Sequence, residues 1–171
     1  DIQGRGDPLG LIESRTANFP RRKIFLLSTP TVKGASRIEG EWQRSDQRRY
    51  EVPCPHCGER QVLEWRFLAW NEDLSHVWYT CAVNGCVIEE REKAQMLAEG
   101  AWVAGEPRRP VRGYHINALY SPAGLGYGWR DLARQWVEAQ GEPERIKHFI
   151  NERLGLAYED ERTSVRQEAL I

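Results

Sequence analysis

The first fifty residues alternate between helix-like and strand-like apolar patterns. Asp7-Pro8 opens a helical stretch that should end near Pro20. The run from Lys23 to Ser28 is short and continuously apolar, which is typical of a strand buried on both faces of a sheet. Residues 36–44 return to helical spacing. Helix, buried strand, loop and helix make half of a doubly wound unit, and the segment therefore predicts the α/β class.

From residue 50 onward the pattern changes to short strands of period two. The expected strands lie at residues 50–52, 61–65 and 77–80. A helix is expected over 89–99, with Gly100 in a left-handed position just after its end. Two further helices, at 129–140 and 143–154, each carry an apolar stripe that predicts packing on a core.

The cysteines form two pairs, Cys54-x2-Cys57 and Cys81-x4-Cys86, which are separated by 23 residues. Each pair falls at a turn, since Gly58 follows the first pair and Asn84-Gly85 lies within the second. Two such turns can offer four thiolates to one zinc ion at about 2.3 Å. Free structural thiols, a disulfide and redox chemistry remain as alternatives.

A zinc ion held by four sulfur ligands has no open position for water, and we therefore expect a structural role for it. The metal would hold together a segment of about 50 residues whose own core is too small for stability. His56 lies between two of the expected ligands, and we expect it to be exposed and not to coordinate.

Composition limits the class of protein. The chain has 171 residues, 40% of them apolar, and 24 basic against 25 acidic side chains. No apolar run approaches the roughly 18 residues that a membrane-spanning helix needs, and no secretion signal is present. The chain starts at Asp1 and its single methionine is Met96, so we expect it to be a piece of a longer protein.

Charge is distributed unevenly along the chain. Residues 1–50 carry 10 basic and 6 acidic side chains, residues 51–105 carry 4 and 9, and residues 106–171 carry 10 and 10. A basic face suited to a polyanion is one interpretation, and an ordinary solvated surface is the other. The candidate residues for this face are Arg21, Arg22, Lys23, Arg44, Arg48 and Arg49.

Ser28, Thr29 and Thr31 lie at the carboxyl end of the expected buried strand. Open α/β sheets bind ligands at this edge, although a plain strand-to-loop turn uses the same residue types. No phosphate-binding loop of the form G-x-x-x-x-G-K-[ST] is present in the sequence, and the histidines show no metal-binding spacing.

Several motifs occur in a characteristic order. They are Gly6-Asp7-Pro8, Ser14-Arg15-Thr16, Arg22-Lys23-Ile24, Ser28-Thr29-Pro30-Thr31, Gly34-x-Ser36-Arg37-Ile38, the string from Ser45 to Tyr50, the string from Val52 to Gly58, Gly100-x-Trp102, Tyr114-His115 and Phe149-x-Asn151. Together they resemble the large terminase subunit of tailed bacteriophages, of the GpA type. The resemblance covers most of residues 4–160.

The resemblance implies a fold of the α/β class, a partial P-loop-type ATPase sheet with an inserted small β zinc ribbon and C-terminal helices. The implied domains are the end of the ATPase domain at 1–49, the ribbon at 50–105, a helical connector at 106–160 and a linker tail at 161–171. In such proteins the P-loop precedes this region and the nuclease carboxylates follow it. The isolated chain is therefore expected to be inactive.

The resemblance also implies an activity and partners. The parent protein would be an ATPase and endonuclease that uses ATP and Mg²⁺ to move viral double-stranded DNA into capsids and cuts the concatemer. Its partners would be the terminase small subunit and the capsid portal in the host cell cytoplasm, with no membrane. Ser28, Thr29 and Thr31 would belong to the motif that couples ATP hydrolysis to DNA movement.

The resemblance gives weaker support to Arg37 and to the second cysteine pair than to the other motifs. Arg37 is expected to contact phosphate or DNA, and a helix-surface arginine is an equally good interpretation. The second cysteine pair has four intervening residues, whereas the family implies two followed by glycine. The zinc ligands expected from the cysteine spacing are Cys54, Cys57, Cys81 and Cys86.

A stand-alone zinc-ribbon adaptor that binds protein or nucleic acid is the alternative function. It accounts for the cysteines equally well but leaves the apolar run at 23–28 without a sheet. A nuclease within this chain is disfavoured, because the acidic run at Glu159, Asp160 and Glu161 consists of adjacent residues that would not converge on two metal ions.

Overall fold

The computed structural model describes residues 8–159. The helices are α1 Pro8–Thr16, α2 Arg37–Arg44, α3 Lys93–Ala98, α4 Trp129–Ala139 and α5 Pro143–Glu152. The strands are β1 Arg48–Pro53, β2 Arg60–Val62, β3 Leu68–Trp70, β4 Val77–Thr80, β5 Val87–Glu89, β6 Ala101–Ala104 and β7 Tyr114–His115. Asp7, Asp160 and the tail at 161–171 lie outside the described residues. Among the described helices, none has the length and apolar character that crossing a membrane requires.

Two small sheets carry the middle of the chain. In the first, β1 pairs antiparallel with both β2 and β6, and β7 adds a short parallel pairing to β1. In the second, β4 lies between β3 and β5, and both pairings are antiparallel. The predicted strands at 50–52 and 77–80 are confirmed, whereas the strand expected at 61–65 ends at Val62. A 3₁₀ turn, Trp65–Phe67, begins at the residue where the expected strand would have ended.

The helices expected after the N-terminal segment are confirmed. α2 follows Ser36, and α4 and α5 occupy the two C-terminal stretches with apolar stripes. Gly141 and Gly155 follow these two helices with φ of 84° and 62°, left-handed values that glycine adopts without steric cost. Each of these helix ends was therefore recognisable from local sequence.

The buried strand expected at 23–28 is wrong for the described chain. The segment has no strand pairing, and Phe25 and Leu27 are 82% and 86% exposed. A strand buried on both faces requires neighbouring strands for its N–H and C=O groups and covering layers for its side chains. Within residues 8–159 neither the partners nor the layers are present for this segment, and the partial P-loop-type sheet is likewise not seen there.

Gly100 has a different role from the one expected. Its φ is not positive, so it does not close α3 as a left-handed residue. A Cβ at Gly100 would instead overlap the ring of Tyr50, whose hydroxyl donates to the Leu97 carbonyl at 2.8 Å. Glycine is required here because an aromatic side chain of β1 passes directly over the backbone.

One core joins the cysteine-bearing hairpins to the C-terminal helices. It contains Val52 from the first sheet and Leu63, which follows β2. Tyr79 and Ile88 come from the second sheet, and Trp129, Leu132 and Phe149 come from the helices. Trp129 is fully buried, and its ring centroid lies 5.8 Å from that of Tyr79. The hairpin segment and the helical segment are therefore stabilised by the same apolar contacts.

The polar atoms around Trp129 are all accounted for. The indole Nε1–H donates to the Leu119 carbonyl at 3.0 Å, and the backbone N–H of Trp129 donates to Glu90 Oε1 at 2.9 Å. The same carboxylate oxygen accepts from Lys93 Nζ at 2.7 Å, and Lys93 is only 1% exposed. Glu90 thus caps the start of α4 from the neighbouring segment.

Two tyrosine hydroxyls continue the hydrogen bonding where β2 ends. The Tyr120 hydroxyl accepts from Leu63 N at 2.7 Å and donates to the Tyr50 carbonyl at 2.6 Å. The Tyr79 hydroxyl accepts from Glu64 N at 2.9 Å. Burial raises the pKa of Tyr120 to about 12, so the hydroxyl keeps its proton and serves both partners.

We predict that Tyr120→Phe lowers the free energy of unfolding by about 1–3 kcal/mol, because it leaves the buried Leu63 N–H and Tyr50 C=O without a partner. Tyr114→Phe is the matched control, since Tyr114 is 50% exposed and its ring contact with Trp102 is retained. Urea denaturation of the two variants measures the difference. Equal stability of both variants would contradict the role given to the Tyr120 hydroxyl.

Candidate metal centre and hydroxyl groove

The first cysteine pair lies on the turn between β1 and β2. The Cys54 N–H donates to the Glu59 carbonyl at 2.8 Å, and the Gly58 N–H donates to the Cys54 carbonyl at 2.9 Å. Gly58 has a φ of 78°, which the close return of the chain requires. Cys54 and Cys57 therefore project from one tight turn, as the spacing predicts.

The second pair lies on the turn between β4 and β5, and it repeats the same hydrogen bonds. The Cys81 N–H donates to the Cys86 carbonyl at 2.8 Å, and the Gly85 N–H donates to the Cys81 carbonyl at 2.9 Å. Gly85 has a φ of 67°. Both turns thus place a left-handed glycine four residues after the first cysteine.

The longer spacing of the second pair has a structural explanation. Asn84 occupies the turn position that Cys57 has in the first pair, and Cys86 occupies the position of Glu59. The turn itself is therefore of the two-spacer kind, and the second thiol is supplied two residues later, immediately before β5. The unusual spacing changes which residue carries the sulfur without changing the turn.

The four thiols converge on one point. The Sγ atoms of Cys54, Cys57, Cys81 and Cys86 all lie within 4.8 Å of one another, and those of Cys57 and Cys81 are 3.8 Å apart. Sulfur atoms placed tetrahedrally about 2.3 Å from a zinc ion are separated by about 3.8 Å. All four cysteines are free thiols. The donor set and its spacing fit a closed tetrahedral zinc site.

The surroundings of the cluster shift the pKa values of the thiols in opposite directions. Burial raises the pKa of Cys54 to about 12, and it also raises the pKa of Cys86. The Asn84 side chain hydrogen-bonds to Cys57 and lowers the pKa of that thiol to about 6. Asn84 therefore contributes to the cluster even though it carries no sulfur.

Two neighbouring side chains complete the surroundings of the cluster. Gln61 on β2 is 5% exposed, and its Oε1 accepts from the Ala82 N–H at 2.7 Å, which joins the two cysteine turns. The His56 side chain is 44% exposed and its Nε2 lies 3.4 Å from Glu92 Oε2. The expectation that His56 is exposed is confirmed.

The hydroxyl residues and Arg37 lie apart from the cysteines and share one groove. Ser28, Thr29, Thr31 and Arg37 line an open cavity of about 520 Å³ together with the apolar residues of 25–27. The Ser28 hydroxyl donates to the Thr29 carbonyl at 2.9 Å. The Thr29 hydroxyl donates to Glu152 Oε1 on α5 at 3.1 Å. The structure therefore brings together the residues that the sequence singled out here.

A short parallel bridge ties this segment to the chain after α5. Tyr158 N donates to the Thr31 carbonyl at 2.9 Å, and Lys33 N donates to the Tyr158 carbonyl at 3.0 Å. The Lys33 ammonium lies 3.1 Å from Glu159 Oε1. Sequence reasoning missed Glu152 and Tyr158, since nothing local indicates contacts across more than 120 residues.

Part of the candidate basic face has partners within the chain. Arg48 Nε lies 2.8 Å from Asp46 Oδ2, Arg44 pairs with Glu41, and Arg22 donates to the Ala17 carbonyl at 3.2 Å. Arg49 lies over the Trp42 ring at 6.0 Å. The side chains of Arg44 and Arg22 are nevertheless exposed and can meet a polyanion.

Comparison with known proteins agrees with the resemblance. The model of the phage terminase large subunit gpA ATPase domain matches residues 1–102, and that of the terminase large subunit gpA endonuclease domain matches residues 111–171. Residues 111–160 of the segment expected to be a connector thus lie within the endonuclease match. No solved structure matches the chain.

Two curated relatives are each named terminase, large subunit. The one from Enterobacteria phage P21 is 30% identical over 94% of this chain, and the one from Escherichia phage lambda is 32% identical over 93%. The chain spans 28% of the length of each relative. On these matches, the chain belongs to the gpA family of phage terminase large subunits.

Proposed function

We propose that the chain is part of an ATP-driven motor that packages viral double-stranded DNA into capsids and cuts the concatemer. The observation that carries the proposal is the order of the two family matches, an ATPase domain followed by an endonuclease domain along one chain. Both relatives carry the name of the terminase large subunit. ATP and Mg²⁺ are the cofactors of the parent protein in this proposal, and the host cell cytoplasm is its location.

The chain would contribute the junction of the motor and not its nucleotide site. Residues 1–49 would end the ATPase domain, residues 50–105 would form the zinc-ribbon insert, residues 106–160 would connect to the nuclease carboxylates, and 161–171 would be a linker tail. The terminase small subunit and the capsid portal would bind the complete protein. Ser28, Thr29 and Thr31 would couple hydrolysis to DNA movement, with Arg37 beside them as a phosphate or DNA contact.

The exposed apolar segment supports this placement. Phe25 and Leu27 are almost fully exposed, and burying side chains of this size contributes about 1.5–3 kcal/mol each. We infer that residues 23–28 become a strand when the rest of an ATPase sheet is beside them. An adaptor that functions alone would have to leave this segment in water, which favours aggregation.

The first prediction from this proposal concerns the parent gene. We expect the reading frame upstream of Asp1 to encode a P-loop, followed by an apolar strand that ends in acidic residues, because the described chain offers no cradle for Mg-ATP. Sequencing of that region provides the measurement. A start codon immediately before Asp1 would favour the adaptor. A soluble monomer that unfolds in one cooperative step, with residues 23–28 included, would favour it as well. Mg²⁺-dependent ATPase activity of the isolated chain would contradict the proposed position of the nucleotide site.

The four cysteines would hold one structural zinc ion. The cluster brings only sulfur to the site, and a fourth sulfur ligand occupies the position that a catalytic water would need. The metal would supply cross-linking between two hairpin turns. Cys54 and Cys81, which are buried, would anchor it from the core, and Cys57 and Cys86 would close it from the outer side.

We predict about one zinc ion per chain under reducing conditions, since the four thiols fit one tetrahedral site. Removal of the metal with a chelator should unfold the two small sheets, because metal binding and folding are linked in such segments. Metal analysis together with circular dichroism before and after chelation measures both effects. Zinc well below one equivalent in freshly reduced protein would count against the site.

The turn geometry generates a second test of the same site. Cys86→Ser should weaken zinc binding at least about tenfold, because it removes one of four ligands. Adding Asn84→Cys should restore most of the affinity, because position 84 has the turn location of Cys57. Competition with a zinc chelator measures the affinities.

Val83→Cys in the Cys86→Ser background is the matched control for this rescue. Val83 is 53% exposed and lies one position away from the turn location of the missing sulfur. It adds the same thiol to the same turn without the required direction, so no rescue is expected. Rescue by both cysteines, or by neither, would show that the correspondence between Asn84 and Cys57 is wrong.

A further inference from the structure

Thr29 and Glu152 form a polar contact between the two parts of the chain that different family models match. The Thr29 hydroxyl donates to Glu152 Oε1 at 3.1 Å, with Thr29 in the ATPase match and Glu152 in the endonuclease match. Both side chains are exposed, so the contact is not required to satisfy a buried group. Its exposure leaves both groups open to other partners from solvent.

A threonine hydroxyl has one proton to donate. While that proton is directed to Glu152, it is not available to a phosphate oxygen in the same groove. A phosphate placed beside Thr29 would also be repelled by the Glu152 carboxylate, because both are negative. The contact with Glu152 and a contact with phosphate therefore exclude each other at this hydroxyl.

We propose that Glu152 is a positioning residue that competes with nucleotide phosphate for the Thr29 hydroxyl, so that nucleotide binding releases the 29–33 segment from α5. The inference rests on the proposed function, since it assigns Thr29 to a nucleotide-sensing segment. It adds Glu152 as the residue that competes for the hydroxyl. It also adds that nucleotide binding acts on α5 through residues 29–33. Glu152 itself does not touch the reacting atoms.

Backbone hydrogen bonds next to Thr29 connect the same segment to the chain that follows α5. The bridge between 31–33 and Tyr158 lies two residues beyond Thr29, and its two hydrogen bonds are 2.9 and 3.0 Å long. Residues 29–33 are thus held to α5 on one side and to the chain following α5 on the other. A shift of Thr29 strains both attachments together.

The size of the effect follows from the exposure of the pair. A charge-assisted hydrogen bond that water can reach is weaker than a buried one, and a several-fold change in affinity is its expected range. We expect Glu152→Ala to lower the KM for ATP about three- to tenfold in the full-length protein. Glu152→Gln keeps an acceptor oxygen without the charge, and its KM should lie between the two.

The experiment measures KM and kcat for ATP in the full-length protein and in variants. Glu144→Ala is the matched control, because Glu144 lies on the same helix, is 90% exposed and contacts Lys147 at 3.8 Å instead of Thr29. Thr29→Val removes the hydroxyl at nearly constant volume. In the Thr29→Val background, Glu152→Ala should lower KM by less than it does in the wild-type background, because only the repulsion between the carboxylate and the phosphate is left to remove.

The outcomes separate the inference from the function on which it rests. An active wild-type protein in which Glu152→Ala behaves like Glu144→Ala overturns the competition, and so does a KM shift that is equally large with and without the Thr29 hydroxyl. A full-length wild-type protein that does not hydrolyse ATP overturns the proposed function and the inference together. A smaller KM for Glu152→Ala that depends on Thr29 supports both.

Hydrogen exchange provides a readout that steady-state kinetics does not. In the wild-type protein, the amides of Lys33 and Tyr158 donate the two hydrogen bonds of the bridge. Addition of a non-hydrolysable ATP analogue should reduce their protection together, and Glu152→Ala should reduce it before the analogue is added. Unchanged protection of both amides on saturation with the analogue would contradict the release of the 29–33 segment.

Discussion

The arrangement of the described chain depends on the burial of Trp129, the first residue of α4, against the second sheet. Its ring meets Tyr79, its indole N–H is bound by the Leu119 carbonyl, and its backbone N–H is bound by Glu90. An indole can be fully buried only when its N–H has a partner, because an unpaired donor costs about 1–3 kcal/mol. The cysteine-bearing hairpins supply part of that environment. They therefore stabilise the helices as well as themselves.

Because the core is shared, the candidate metal site affects the packing of the second sheet on α4 as well as its own two turns. The second sheet lies between the cysteine turn at 81–86 and the ring of Trp129, since Tyr79 belongs to the strand that ends just before Cys81. A tetrahedral ion would fix the separation of the two turns, and thereby the position of Tyr79 against α4. The ATPase match ends at residue 102 and the endonuclease match begins at residue 111. Residues from both matches nevertheless pack in one core.

The parts of the fold that could be predicted from the sequence are those determined by neighbouring residues. Gly58, Gly85, Gly141 and Gly155 all adopt the left-handed conformations that their places in turns or after helices require. The cysteine turns and the C-terminal helices follow from such local rules. Gly100 is the exception. Its importance comes from Tyr50, 50 residues earlier in the chain, and no spacing rule contains that contact.

Non-local pairings account for the rest of the differences. The apolar run at 23–28 has the composition of a buried strand, but a strand exists only with neighbours, and residues 8–159 supply none to it. The pairing of β7 with β1 and the contact of Thr29 with Glu152 were equally invisible, because each joins segments more than 60 residues apart. For the candidate site, the convergence of the four cysteines was predictable from their spacing, whereas the position of Asn84 was not. Its position in the turn becomes evident only when the hydrogen bonds of the two turns are compared.

A continuous series of contacts connects the hydroxyl groove to the cysteine cluster. Residues 29–33 are bonded to Glu152 and Tyr158, and α5 packs through Phe149 against Trp65 and Trp136 with ring centroids 4.9 and 5.2 Å apart. Trp65 follows β2, whose Gln61 bonds to the second cysteine turn. These ring contacts link α5 directly to the segment that follows β2, so a displacement of α5 would reach that segment. A rigid metal-linked ribbon would then act as the fixed support against which a movement of the 29–33 segment becomes a movement of α5, since the same displacement against a loosely folded segment would be lost locally.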